Sequence, residues 1–274
     1  MKYFNRVIIY LILIIGSAIS IFPFYWNFIK AVTPEGEIFH YPPQLYVSNF
    51  TLDNISHLIA HIPFLRNLLN TFFVSTSYTI LTLFLCSLAG YAFAKFEFPF
   101  KNVLFIFMIS TMALPFAVQL IPLFIIMTRL KWINNYLALI IPWAANAFGI
   151  FWMKQYIQSI PADLLDAARI DGSSEFRIFI QIIIPNIKPA LFSLGIIQFL
   201  FSYNDFLWPL IVMNNNKMYT APLALALLKS SGMEKPYWGE IMAGSALLVI
   251  PVIIIFLVLQ KYIVSGIMKG AIKE

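Results

Sequence analysis

Charge is what this sequence has least of. Asp, Glu, Lys and Arg make up 11% of its 274 residues, less than half the roughly 25% of ordinary soluble domains. With 61% hydrophobic residues, such a chain is read as a membrane protein. Cysteine is nearly absent as well: Cys86 stands alone, which excludes an intrachain disulfide and leaves a buried packing role. No G-x-x-x-x-G-K-[ST] loop occurs, so the chain does not bind ATP by that motif. There is no basic run interleaved with aromatics, so no nucleic-acid partner is expected, and the net charge of +6 reads as topology and contact with anionic membrane lipid. No internal repeat, low-complexity segment or separate soluble domain is visible. Residues 1–274 are read as one membrane domain.

What is present is a series of long uncharged runs. A hydrocarbon core takes roughly 20 apolar residues as helix, and six candidate spans appear, at about 7–29, 67–94, 102–128, 132–153, 189–213 and 239–260. Only Asp205 interrupts the fifth. Pro23, Pro115, Pro122 and Pro142 lie inside these runs, so kinks are expected there. The first run follows Lys2 and Arg6, as a signal peptide would, but it lacks an A-x-A site and is expected to stay as an anchor. Six spans put both termini on one side. Lys2, Arg6, Lys95, Lys101, Lys154, Arg169, Arg177, Lys188, Lys261, Lys269 and Lys273 fall on that side, 11 of the 18 Lys and Arg, which makes it cytoplasmic by the positive-inside rule.

Two long outer loops follow from this topology. In the first, Leu52, Ile55, Leu58 and Ile62 recur at helical spacing, which predicts an amphipathic helix at the outer interface. His57 and His61 share its face at a metal-ligand spacing, but "HLIAH" lacks the acid of H-E-x-x-H and no third ligand is evident, so no metal site is expected. The second loop, "NNNKMYTAPLALALLKSSGMEKPYWGE", is polar at its ends and apolar in the middle. Its "APLALALL" segment is too short to span and could re-enter the membrane or meet a protein outside.

The cytoplasmic loop 159–186 is out of character with the rest. It contains "LLDAARIDGSSEFRIFIQIIIP", and its residue types predict two short helices around a turn. Ser159 can cap the first, with Pro161 in its first turn and Asp163 near its positive end. Asp171-Gly172 breaks it. Ser173 or Ser174 can cap the second, in which Phe176, Phe179, Ile180 and Ile183 recur at i, i+3, i+4, i+7, and Pro185 then bends the chain into the fifth span. Leu164, Leu165 and Ala168 give the first helix an apolar side, and Ala167 with Ala168 leaves a shallow surface between Asp166 and Arg169. The residues alone leave two readings open: a solvated loop lying on the bilayer, or a docking knob whose small residues permit close approach while charges set orientation.

Inside the membrane, "FSYNDFLWPL" carries Asn204 and Asp205, the most polar elements of the spans. An ionisable residue in a span is a functional-site candidate. Counting about 1.5 Å per residue from Lys188 puts Asp205 toward the outer side, where capping a broken helix or pairing with a neighbouring subunit is favoured over substrate contact. Tyr203 and Trp208 could stack on a sugar ring or serve as interfacial belt residues.

The loop also carries a resemblance. "DAARIDG", nine residues, then "IIIP" resembles the EAA signature of ABC importer permeases, filled here by Asp166, Ala167, Ala168, Gly172, Ile182 and Pro185. Asp166 stands where that family usually has glutamate, and Ile184 where it has leucine. "PADLLDAARIDGSSEFRIFIQIIIPNIKPAL", "YNDFLWPLIV", "NFTLDN", "LAGYAFAKFEFPFK" and "GIMKGAIKE" extend the likeness to the six-span second permease of maltose-type carbohydrate importers over nearly the whole chain. The resemblance implies an all-α polytopic membrane protein of the binding-protein-dependent (MetI-like) permease fold, in a bacterial inner membrane. It implies a second permease forming a heterodimer with this chain, an external sugar-binding protein, and a cytoplasmic ATPase dimer that uses ATP and Mg; no cofactor is expected on this chain, and no catalytic residue. By the same resemblance the loop is a coupling helix seated in the ATPase, carried by Leu165, Asp166, Ala167, Ala168, Arg169, Asp171, Gly172 and Pro185. The second outer loop would reach the binding protein, with Lys229, Gly232, Glu234 and Lys235 as candidate contacts.

Two other classes fit less well. An ion-coupled secondary transporter would usually show repeated halves and several intramembrane ionisable groups. A membrane enzyme would need convergent titratable groups near one membrane face, which the sequence does not show.

Overall fold

A computed structural model describes residues 2–230 and 237–271, and the described residues form helices joined by turns and loops. In chain order these are α1 (Lys2–Ala31), α2 (Asp53–His61), α3 (Phe64–Lys95), α4 (Lys101–Ser110), α5 (Phe116–Arg129), α6 (Leu137–Ile140), α7 (Ala147–Gln158), α8 (Ala162–Ile170), α9 (Glu175–Asn186), α10 (Lys188–Tyr203), α11 (Leu207–Val212), α12 (Ala221–Ser230) and α13 (Trp238–Ala271). Three of them, α1, α3 and α13, are long and apolar enough to cross a membrane. The pairs α4–α5 and α9–α10 pass the same test only as bent pairs, with angles of 105° and 81°. Where six spans are expected, the described residues give three continuous helices able to cross, or five if each bent pair is one span. The expected run 102–128 breaks at Pro115, which starts α5, and 132–153 holds only α6 and the first part of α7, separated by a turn that contains Pro142. Proline has no N–H and its ring clashes with the carbonyl four residues back, so these positions end helices. Pro23 and Pro122 stay inside theirs.

The chain divides into two compact units, residues 1–68 with 224–253, and residues 69–223 with 254–274. In the first unit, residues 6–25 of α1 are exposed throughout, and the helix is covered only near its end. Ala31 packs with Ala243 and Ala246 of α13, flanked by Phe28, Ile55 and Met242. Small residues here let backbones approach closely, the main source of helix association where lipid is as apolar as side chains. Buried Asn54 donates from Nδ2 to the carbonyls of Ala31 (3.0 Å) and Thr33 (2.7 Å). The Glu35 carboxylate accepts from the backbone N–H of Trp238 (2.9 Å) and Gly239 (2.6 Å), an acid placed on the positive end of a long helix. The helix expected from Leu52 to Ile62 exists as α2, with Leu58 buried, Ile55 and Ile62 half-buried and Leu52 exposed. Its histidines serve separately: His61 Nδ1 lies 2.9 Å from Oε1 of buried Glu240, while His57 stacks on Tyr237 with ring centroids 5.8 Å apart.

In the second unit, α3 and α7 cross at two glycines. A Cβ on Gly149 would lie 2.7 Å from Cys86 Sγ, and one on Gly90 would lie 2.7 Å from Met153 Cβ and 2.9 Å from the Lys154 nitrogen. Cys86 is fully buried at this crossing, in the packing role expected of it. Around it lies the core of Tyr91, Ile150, Met153, Ile157, Leu165, Ile178, Phe179, Ile183 and Leu194. The "APLALALL" segment is the helix α12, with Ala221, Leu223, Ala224, Leu225 and Leu228 buried.

The Gly90 crossing can be tested directly. Gly90→Leu should destabilise the protein by about 1 to 3 kcal/mol, the usual range for overpacking, because part of the clash is with backbone. Gly16→Ala, with open space at its Cβ, should leave the melting temperature in detergent unchanged. Equal stability of both variants would contradict the close crossing.

Candidate coupling site

The loop 159–186 is held by one side chain at each point where the chain turns. Ser159 is not the expected cap of α8: it ends α7 and donates from Oγ to the Tyr156 carbonyl (2.7 Å), while Pro161 occupies the cap position of α8. The carbonyls of Gln158 and Ile160 are taken by the ammonium of Lys95, at the end of α3. Proline with fixed φ is well suited to entering a helix whose first N–H groups have no partner, so Ser159 is not needed there.

α8 turns one residue inward. Leu165 is 1% exposed and belongs to the core around Ile157, Ile178 and Phe179, whereas Leu164 is 45% and Ile170 87% exposed. Burying one leucine stabilises by roughly 1.5 to 3 kcal/mol, so Leu165 is the anchor of the helix. On the other side Asp163, Leu164, Asp166, Ala167 and Ile170 are exposed, and Ala168 is half-buried. Leu164, Ala167 and Ile170, at i, i+3 and i+6, give this outer side an apolar stripe beside Asp163 and Asp166.

The end of α8 has the geometry of a Schellman cap. Ser173 N–H donates to the Ala168 carbonyl and Gly172 N–H to the Arg169 carbonyl, both at 3.0 Å. Gly172 has φ +78°, a conformation glycine adopts without strain. Asp171 is the last residue before it, and its side chain is exposed. Ser174, one of the two expected caps, accepts from Arg177 N–H at 3.4 Å and starts α9.

Arg169 joins the two helices. Nη1 donates to Asp166 Oδ1 (2.7 Å) and Nε to Glu175 Oε1 (2.7 Å). Glu175 Oε2 in turn accepts from the Tyr91 hydroxyl on α3, also at 2.7 Å. The Glu175 and Asp166 carboxylates hold the Arg169 guanidinium protonated even more firmly than usual. All three ionic groups are partly exposed, and such pairs add only about 0 to 1 kcal/mol each. Their effect is therefore orientation, with stability left to Leu165.

α9 departs from the expected period. Phe179 and Ile183 are buried, but Phe176 and Ile180 are about half exposed, and residues Phe179–Ile183 form a π turn. The turn lies just before Pro185, whose ring would otherwise clash with the carbonyl of residue 181. Pro185 itself is exposed and within the helix; the 81° bend into α10 falls at buried Ile187. The bend expected at Pro185 is thus displaced by two residues.

The other expected site residues lie apart from this loop. Tyr203 and Trp208 are both 1% exposed; Trp208 Nε1 donates to the Ala138 carbonyl (2.8 Å) and Tyr203 packs against Phe72 and Phe199. The Phe72 contact is edge-on and the Phe199 contact stacked, and burial leaves neither the Tyr203 nor the Trp208 ring open to solvent. Asn204 ends α10 and donates to the Leu200 carbonyl (2.9 Å), and Asp205 Oδ1 accepts from Leu207 N–H (3.1 Å) and Trp208 N–H (3.3 Å). Asp205 is the cap of a broken span. Lys229 lies on α12, and Gly232, Glu234 and Lys235 are outside the described residues. Among the described residues, no group of three or more His, Cys, Asp or Glu could hold a metal. Tyr91, Lys95 and the link from Glu175 were not foreseen from the sequence: Tyr91 is 84 residues from Glu175, and no local pattern marks it.

Known proteins place this arrangement in a family. Residues 83–269 match the family described as binding-protein-dependent transport system inner membrane component. The chain is 34% identical over 274 residues to the arabinooligosaccharides transport system permease protein AraQ of Bacillus subtilis, covering 98% of this chain and 96% of that one. It is 31% identical over 264 residues to the sn-glycerol-3-phosphate transport system permease protein UgpE of Escherichia coli, covering 94% of each. Its fold is that of a chain in the crystal structure of a bacterial ABC transporter involved in the import of the acidic polysaccharide alginate, with TM-score 0.83, 22% identity, and coverage of 95% and 97%. The chain belongs to the binding-protein-dependent transport system inner membrane components, the permeases of ABC importers.

Proposed function

We propose that this chain is one of two permease subunits of an importer for a sugar or oligosaccharide, in which α8 docks into a partner ATPase. The observation that carries the docking role is the outward face of α8. An apolar stripe of Leu164, Ala167 and Ile170, with Asp163 and Asp166 beside it, is held to a packed core by Leu165. A solvated loop would gain nothing from an anchored helix with its apolar side outward, whereas a partner's cleft would cover it. An external binding protein delivers the sugar, and the second outer loop, including Lys229, Gly232, Glu234 and Lys235, is its contact on this subunit. Both termini lie in the cytoplasm. ATP and Mg are used by the ATPase. Membership of an importer family favours this reading over ion-coupled transport.

The link from Arg169 through Glu175 to Tyr91 gives docking a mechanical consequence. A displacement of α8 by the ATPase is carried to α3 by Leu165 packing and by the Tyr91 bond, so nucleotide-driven closure moves a span and not only a loop.

Docking is tested by purifying the importer in mild detergent. Asp166→Lys reverses a charge on the proposed interface and should weaken retention of the ATPase by about tenfold or more, equivalent to at least ~1.4 kcal/mol. Arg169→Ala, which frees Asp166 from its neighbour, should retain the ATPase. Full retention and normal uptake with Asp166→Lys would contradict the docking role. In the second loop, deletion of "KSSGMEKP" should reduce stimulation of ATP hydrolysis by the binding protein while the chain still inserts in the membrane; unchanged stimulation would count against that contact.

A further inference from the structure

Two spans break side by side, and a cleft of about 400 Å³ opens where they do. The first break lies between α4 and α5, around Thr111 to Pro115; the second lies between α6 and α7, around Pro142 to Asn146. α4 has ten residues and α7 has twelve, so at 1.5 Å per residue each break lies roughly 15 to 18 Å from the cytoplasmic end of its span. That is near the middle of a hydrocarbon core about 30 Å thick. Irregular backbone at such depth is tolerated only where protein covers it or an aqueous cavity faces it. Discontinuous helices meeting near the midplane are also a recurring way to build a substrate site in transporters.

The chemistry of the lining is specific. Gln119 donates from Nε2 to the Leu114 carbonyl (3.1 Å), and Asn146 donates from Nδ2 to the Trp143 carbonyl (3.2 Å) while its Oδ1 accepts from Gly149 N–H (2.8 Å). Each amide thus satisfies backbone freed by a break and stays half-buried at the cleft wall. Thr111 is exposed, and its hydroxyl, which donates to the Met108 carbonyl (2.6 Å), can still accept. Between them the half-buried Trp143 ring is fixed by Phe116 (centroids 5.3 Å apart) and by the perpendicular ring of Trp208 (6.4 Å). A braced indole beside two amides and a hydroxyl suits a ligand with C–H faces and many hydroxyls. No charged side chain is among the residues lining the cleft.

We infer that this cleft is a sugar-contact site on the transport path, with Trp143 stacking on the ring and Gln119 and Asn146 meeting hydroxyls, and that the ring it receives is neutral. The inference rests on the importer reading and deepens it. A phosphate or uronate would find no cation in this cleft, so a neutral oligosaccharide is selected over sn-glycerol 3-phosphate or an acidic sugar. Trp208, buried behind Trp143, positions that ring and does not touch the ligand.

The test uses the complete importer in proteoliposomes, with arabinotriose, maltotriose and sn-glycerol 3-phosphate as probes. Wild-type vesicles should take up a neutral trisaccharide in an ATP-dependent manner and discriminate against the phosphate. Trp143→Ala should lower the uptake rate about tenfold, the loss expected for one good contact in the transport transition state, with the ATPase still bound. Gln119→Cys in a Cys86→Ala background, a milder change, should react with a water-soluble maleimide and be protected by the transported trisaccharide. Uptake of the phosphate alone, an unchanged rate in Trp143→Ala, or a reactive Gln119→Cys that no trisaccharide protects would overturn the inference. So would an unreactive Gln119→Cys in a complex that still transports. ATP-independent uptake, or none of any probe by the wild type, is a separate result that overturns the importer reading itself.

Discussion

The carboxylate of Glu175 ties α8 and α9 to α3. It accepts from Arg169 on one side and from the Tyr91 hydroxyl on the other, each at 2.7 Å. Without it α8 would be held mainly by the packing of Leu165 and Ala168, which resists separation more than rotation. Hydrogen bonds to a charged acceptor are the stronger and more directional kind, so the pair fixes the angle of α8 against α3. A partner docked on α8, as proposed, would then act on a helix whose angle to α3 is fixed.

The broken helices follow from a second constraint, that no backbone polar group can be left unpaired in hydrocarbon. Each break is closed by a side chain close in sequence: Gln119 on Leu114, Asn146 on Trp143 and Gly149, Asn204 on Leu200, Asp205 on Leu207 and Trp208. The polar residues at the breaks are therefore caps. Asp205, conspicuous as the one acid in its run, accepts from two backbone N–H groups, while the cleft at the other two breaks is lined by uncharged amides that hydropathy passes over.

The sequence was most informative where a property is local. Uncharged runs located the long apolar helices α1, α3 and α13, and Gly172 and Ser174 marked the turn, because a left-handed residue and an N-cap depend on neighbours within three or four positions. The outer loop helix was legible from its apolar spacing for the same reason. The rest depends on distance. The continuous spans expected at 102–128 and 132–153 are broken at Pro115 and Pro142, and a proline alone does not say whether surrounding structure will bend a helix or end it. Ser159 offered a good cap, but Lys95, 64 residues earlier in the chain, met the carbonyls on either side of it. In α9 the 3.6 period was interrupted by a π turn before Pro185, and two of the four residues expected to be buried turned outward. Tyr91 carried no signal, since a tyrosine in an aromatic-rich span is unremarkable until its hydroxyl is seen on Glu175.

The central claim is that docking at α8 moves α3 through Glu175. The most direct test is the number of sugar molecules imported per ATP hydrolysed by the reconstituted importer carrying Tyr91→Phe, which removes one hydroxyl and leaves the ring packing in place. The account predicts that the ATPase stays bound and hydrolyses ATP while import per ATP falls. An unchanged ratio, with the ATPase equally retained, would show that α8 drives the spans by packing alone and would contradict it.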